Sequence, residues 1–119
     1  MIDPASLPDL TNQKIVSDCY EFLHLVELGR GSLRDLVTVF GSPENQYESN
    51  YRQVERIKRR CQKLGIHVVY DEQLTRFRTE SGAKLKLLDL AENAKNAVKK
   101  DIKVKTFGPF KVSKVSWSN

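Results

Sequence analysis

The sequence predicts a mainly α-helical protein carrying one small β-hairpin. Three observations predict it. Apolar residues recur at helical spacing in three successive segments before Gly65. The period then changes in two short runs, "IHVVY" (Ile66 to Tyr70) and "LTRFR" (Leu74 to Arg78). A further helical pattern follows from about Glu80 to Lys100. At 119 residues, the chain has the length of one domain, or one domain with an appendage.

Residues 1–10, with Pro4 and Pro8, read as a flexible arm. Thr11 can cap a first helix to about Leu28, with Ile15, Cys19, Phe22, Leu23 and Val26 as its apolar stripe. "GRGS" ends it, and Ser32 is a natural N-cap for a second helix, with Asp35 placed to reach back. Leu33, Leu36, Val37 and Phe40 form the buried face of that helix. Gly41 can stop it in a left-handed conformation.

"SPEN" reads as a third start, with Ser42 as cap and Pro43 at the first helical position. From there Tyr47, Tyr51, Val54, Ile57, Cys61 and Leu64, spaced 4, 3, 3, 4 and 3, form one seam on a helix over 43–64. The two strands meet at a turn over Asp71–Gln73, and Thr79 caps the last helix. Residues 101–119 form a basic tail in which Phe110, Val112 and Val115 give a weak strand signal.

Charge is strongly polarised along the chain. Residues 1–50 hold three bases and eight acids; residues 51–119 hold seventeen bases and seven acids. The stretch Tyr51–Gly65 alone carries six bases against Glu55. Such a balance points to a polyanionic partner, nucleic acid before membrane. No apolar run approaches a membrane span, and "MIDPASLPDL" lacks the basic start and apolar core of a signal peptide, so a soluble, cytoplasmic, nucleoid-associated protein is expected.

Three helices followed by a hairpin make a winged helix-turn-helix, in which the third helix enters the major groove and the hairpin touches the flanking backbone. With the seam inward, Ser49, Asn50, Arg52, Gln53 and Arg56 face out as candidate base readers, types suited to hydrogen-bond base edges. Arg59, Arg60 and Lys63, with Arg76 and Arg78 on the hairpin, suit phosphates. The expected function is therefore sequence-specific double-stranded DNA binding in transcription regulation. An architectural or segregation protein on the same fold, or a winged-helix protein-interaction module, is the alternative.

"SNYRQVERIKRRCQKLGIHVVYDE", followed by "TESGAKL", resembles the DNA-binding segment of LysR-type regulators, as does "FLHLVELGRGS". Ser49, Ile57, Lys58, Arg59, Leu64, Gly65, Thr79, Glu80 and Gly82 fall where that family's pattern expects them. Leu36 and Val37 replace its paired alanines, and about six extra residues precede Ser49. The MarR family has a similar Thr-x-x-Gly after its wing. The resemblance implies a linker helix that pairs two copies. It also implies an effector-sensing domain that this sequence does not include, leaving open a fragment or a stand-alone regulator with no evident small-molecule effector.

The linker pattern itself offers a stripe for a homodimer: Leu87, Leu90, Ala91, Ala94 and Val98. Enzyme chemistry is not expected. His24 and His67 have no metal-ligand partner at useful spacing, and no phosphate loop or nucleophile motif appears. No cofactor or metal is expected. Cys19 and Cys61 each fall on an apolar stripe and read as small core residues, not as a disulfide.

Overall fold

The computed structural model describes residues 7–107 of the chain, with backbone alone for residues 98–107. Helix α1 (Gln13–Glu27) starts one residue later than the sequence suggests. Asn12, not Thr11, is the N-cap, its side-chain oxygen accepting the Lys14 N–H at 2.9 Å. Helix α2 (Leu33–Phe40) is capped as expected by Ser32, whose Oγ accepts the Asp35 N–H at 3.1 Å. Gly41 is extended at its C-cap (φ −88°), not left-handed. Its lack of a side chain matters for another reason, given below.

Helix α3 spans Tyr47–Lys63, four residues shorter at its start than the reading over 43–64. Ser42 to Asn45 form a turn closed by Asn45 N–H to Ser42 O (3.0 Å), so Ser42 and Pro43 do not begin the helix. Strands β1 (Val68–Asp71) and β2 (Arg76–Thr79) pair antiparallel with Val68 opposite Thr79 and Asp71 opposite Arg76. Both lie one or two residues later than expected. The turn is Glu72–Thr75, because Asp71 Oδ1 accepts from the Gln73 and Leu74 N–H groups and holds the chain extended until then. Thr79 is a strand residue whose hydroxyl donates to His67 O, so it does not cap the last helix. Helix α4 runs Ala83–Phe107, seven residues into the stretch read as tail. Phe110, Val112 and Val115 lie outside the described residues.

Four helices and a two-stranded hairpin thus surround one core. Helix α1 lies at its centre, packed by α3, β2 and α4. Cys19, Phe22, Leu23, Leu25 and Val26 of α1 meet Leu36, then Val54, Ile57 and Cys61 of α3, Ile66, Val68 and Phe77 of the hairpin, and Ala83, Leu87 and Ala91 of α4. The Phe22 and Phe77 rings pack 5.8 Å apart. Phe77 N–H donates to Gly31 O at 2.8 Å, pinning β2 to the α1–α2 turn. The cysteines are free and buried. The neighbouring Cys19, and burial after it, hold the Cys61 thiol well above the ordinary thiol pKa.

Leu87 and Ala91 are core residues, so these two members of the stripe do not face a second copy. Leu87 is 0% exposed, and Leu90 and Ala94 pack against the same core. The Val98 side chain lies outside the described residues. A helix following a small domain covers the apolar surface that α1 and α3 leave open, and the best apolar side chains of α4 serve that purpose. Lys84 fastens the contact, its Nζ 3.0 Å from Glu27 Oε1 and 3.0 Å from His24 Nδ1.

Replacing Leu87 with Glu would bury a carboxylate without a partner. We expect a loss of more than about 4 kcal/mol and an unfolded or molten chain by circular dichroism, rather than a folded monomer. Glu80 supplies a second test. Its carboxylate accepts the His67 N–H at 2.6 Å and lies 3.6 Å from Lys86 Nζ. The backbone bond first, and Lys86 after it, lower its pKa below the ordinary 4.5. A carboxyl lowered on folding stabilises above its ordinary value and loses that contribution as pH falls through the folded one. Glu80→Gln should therefore lower Tm at pH 7, and the difference from wild type should shrink below about pH 4.

Candidate nucleic-acid interface

The phase of α3 is set at its first turn by a polar residue. Asn50 is 8% exposed and is the buried polar side chain of the described core. Its carboxamide makes a two-way bond to the backbone of Ser42: Ser42 N–H donates to Asn50 Oδ1 (3.0 Å), and Asn50 Nδ2 donates to Ser42 O (3.1 Å). A Cβ on Gly41 would sit 2.4 Å from Asn50 Cγ and 2.5 Å from Val37 O. Glycine is thus required for the amide to reach the turn. Asn50 is not a base reader; it is the clamp between α2 and α3.

With Asn50, Val54, Ile57 and Cys61 inward, the opposite side of α3 is the row Glu48, Arg52, Arg56, Arg59 and Lys63, all exposed. Ser49 and Arg60 flank it on one side, with Gln53 half-buried beyond. Arg52, Glu55, Arg56, Arg59, Arg60 and Lys63, together with Tyr51 and Pro8, line one open groove of ≈ 620 Å³. Five cations and one carboxylate therefore share a surface about 18 Å long, from Tyr51 to Lys63 along this helix.

The carboxylates on α3 are largely occupied. Glu55 pairs with Lys58 at 2.9 Å, and Lys58 in turn lies 6.0 Å over the Phe77 ring. Glu48 meets Arg52 at 3.7 Å in full solvent, a contact of little strength. Arg56 donates to Gln53 Oε1. Among the described residues, Arg56, Arg59, Arg60 and Lys63 have no carboxylate within ion-pair distance. Unpaired cations in a row at one-turn spacing attract a polyanion and release its counterions on contact.

The hairpin arginines are placed differently. Register puts Val69, Asp71, Arg76 and Arg78 on one face of the hairpin, away from Phe77. Arg76 folds onto Gly29, its Nη1 3.5 Å from the carbonyl, and Arg78 pairs with Asp71 at 3.4 Å. Both line a separate recess with Glu27 and Glu80. The Leu74 N–H, with Arg78 after it, holds the Asp71 carboxyl below its ordinary pKa, so it stays charged and keeps Arg78 neutralised. The five α3 cations are brought together; the two hairpin arginines are not brought to them.

Tyr47 and Tyr51 were missed. Read as the front of the seam, they are instead 60% and 36% exposed, with rings stacked 6.5 Å apart. Asn50 followed by Val54, Ile57 and Cys61 has an equally good helical period, but hydropathy favours tyrosine over asparagine as a core residue. The signal that separates them is Gly41, whose bare Cα admits the amide.

No protein-family model, curated protein or solved structure matches the chain. Among the described residues, no group of His, Cys, Asp and Glu could hold a metal ion, and no helix is long and apolar enough to cross a membrane.

Asn50→Ala should destabilise the fold by about 2 kcal/mol, since Ser42 loses two partners at a half-buried turn. Chemical denaturation would measure it. A change within about 0.5 kcal/mol would mean that the clamp does not hold the turn.

Proposed function

We propose that this chain is a winged helix-turn-helix domain that binds double-stranded DNA, with α2 and α3 as the helix pair, β1–β2 as the wing and α3 in the major groove. The observation that carries this reading is the row Arg52, Arg56, Arg59 and Lys63 on the outer face of α3. The connection of six residues between α2 and α3 is longer than the three or four of a standard helix-turn-helix. The Asn50 clamp and the Gly41 contact make that longer turn rigid, which a reading helix requires.

Base contacts in this proposal come from Ser49, Arg52, Gln53 and Arg56, and phosphate contacts from Arg59, Arg60 and Lys63. Arg78 adds to them only if Asp71 releases it. The function in the cell would be sequence-specific regulation, as the likeness of residues 20–100 to LysR-type regulators implies. Pairing of two copies on adjacent half-sites fits that function, because one helix reads few base pairs. It would use a surface other than Leu87 and Ala91, which belong to the core.

Fluorescence anisotropy on duplex DNA across a salt series tests the proposal. Arg59→Ala combined with Lys63→Ala should make the plot of log K against log salt shallower by about two, one unit per lost phosphate contact. Arg78→Ala should change it little. Arg56→Ala should weaken a selected site by about 1–3 kcal/mol and random duplex far less. An unaltered slope in the double variant would remove α3 from the interface.

A further inference from the structure

Gln53 and Arg56 lie one turn apart on α3, and their side chains act as a unit. An Arg56 Nη1–H donates to Gln53 Oε1. Arg56 is exposed and lines the groove with Arg52 and Arg59. Gln53 is half-buried at the flank of the charged row, so it has less room to move than the guanidinium it holds. Among the described residues, no carboxylate lies within ion-pair distance of Arg56 to draw it elsewhere.

Chemistry fixes the direction of this bond. A guanidinium carries five N–H donors and no acceptor, so the amide must turn its oxygen toward it. A free glutamine sets an acceptor and a donor side by side, the complement of adenine N7 and N6–H2. With its oxygen facing Arg56, Gln53 has lost that match, and the pair presents donors to a base. Guanine is the base whose major-groove edge has two acceptors, N7 and O6. Adenine and thymine offer one acceptor each, and cytosine none. Adenine and cytosine also aim an amino group at the pair, and a donor facing a donor loses its water without gaining a partner.

We propose that Gln53 is a positioning residue for Arg56 and that the pair selects guanine in the major groove. This rests on the DNA reading above and names a base which that reading leaves open. Held by the amide, the guanidinium keeps its Nη2 and Nε donors for the base. It is also restrained from swinging to a phosphate, where its contact would carry no sequence information.

The experiment starts from a duplex selected by the wild-type protein out of a random library, with each base pair then changed in turn. At one or more positions, wild type should bind guanine at least about fivefold better than the other bases, and Arg56→Ala should lose that preference. Replacing the same guanine with 7-deazaguanine, which lacks the N7 acceptor, should weaken wild type and leave Arg56→Ala unaffected. Gln53→Ala keeps the charge of Arg56. Its affinity for random duplex, salt slope and Tm should therefore stay close to wild type, while its guanine preference falls toward that of Arg56→Ala. Gln53→Glu, which still gives Arg56 an oxygen, should retain the preference. A guanine preference unmoved by Gln53→Ala would overturn the assignment, as would its equal loss in both Gln53 variants, or adenine at the position that depends on Arg56. Failure of the DNA reading looks different: the wild type selects no site, and the salt slope ignores Arg59 and Lys63.

Discussion

The outward face of α3 depends on two hydrogen bonds between the Asn50 carboxamide and the Ser42 backbone. A helix turns 100° per residue, so whichever residue is anchored at its first turn decides what every later residue faces. Had Tyr47 and Tyr51 been anchored instead, Arg52 and Arg59 would have moved toward the hairpin and the basic row would have been split. The amide is satisfied on both sides at a half-buried turn, and that makes it a directional constraint where a leucine would only fill space. Gly41 belongs to the same constraint, because any side chain there occupies the place of the amide.

Electrostatics then acts on a surface already fixed. The half of the chain that follows Asn50 holds seventeen of the twenty bases, yet the fold does not use them alike. Lys58, Lys84 and Lys86 are taken up by Glu55, Glu27 and Glu80; the Lys84–Glu27 pair joins α4 to α1, and Lys58, paired within α3, also lies over the Phe77 ring of the hairpin. Arg78 is answered by Asp71. Among the described residues, the groove cations left without a carboxylate partner are Arg56, Arg59, Arg60 and Lys63 of α3. A net charge of +5 is therefore a poor guide to the field a partner meets; the local surplus on one helix is the relevant quantity.

Much of the architecture could be read from periodicity. The four helices, the hairpin and the Ser32 cap follow from spacing and turn chemistry that act over three or four residues. The errors share one cause, which is interaction across longer separations. Thr79 looks like a cap until His67 claims its hydroxyl, and Pro43 looks like a helix start until Asn50 claims Ser42. In α4 the stripe from Leu87 to Ala94 has the spacing of a coiled-coil seam, and no local feature tells an intermolecular seam from a domain's own lid. Of the site, Arg52, Arg56, Arg59, Arg60 and Lys63 were legible because exposure of arginine needs no tertiary information. Asn50 and the two tyrosines were not, because their places were exchanged by a contact with Gly41.

The central position of α1 has a consequence for how the molecule assembles. Its buried side chains are covered by α3, β2 and α4, and the last of these covers comes from residues as late as Ala91. A nascent chain therefore cannot finish its core until nearly the whole domain has left the ribosome, and the helices made first must wait with their apolar faces open. The domain should fold in a single cooperative step with no stable N-terminal subunit, and a truncation before α4 would expose Phe22 and Leu23 to aggregation.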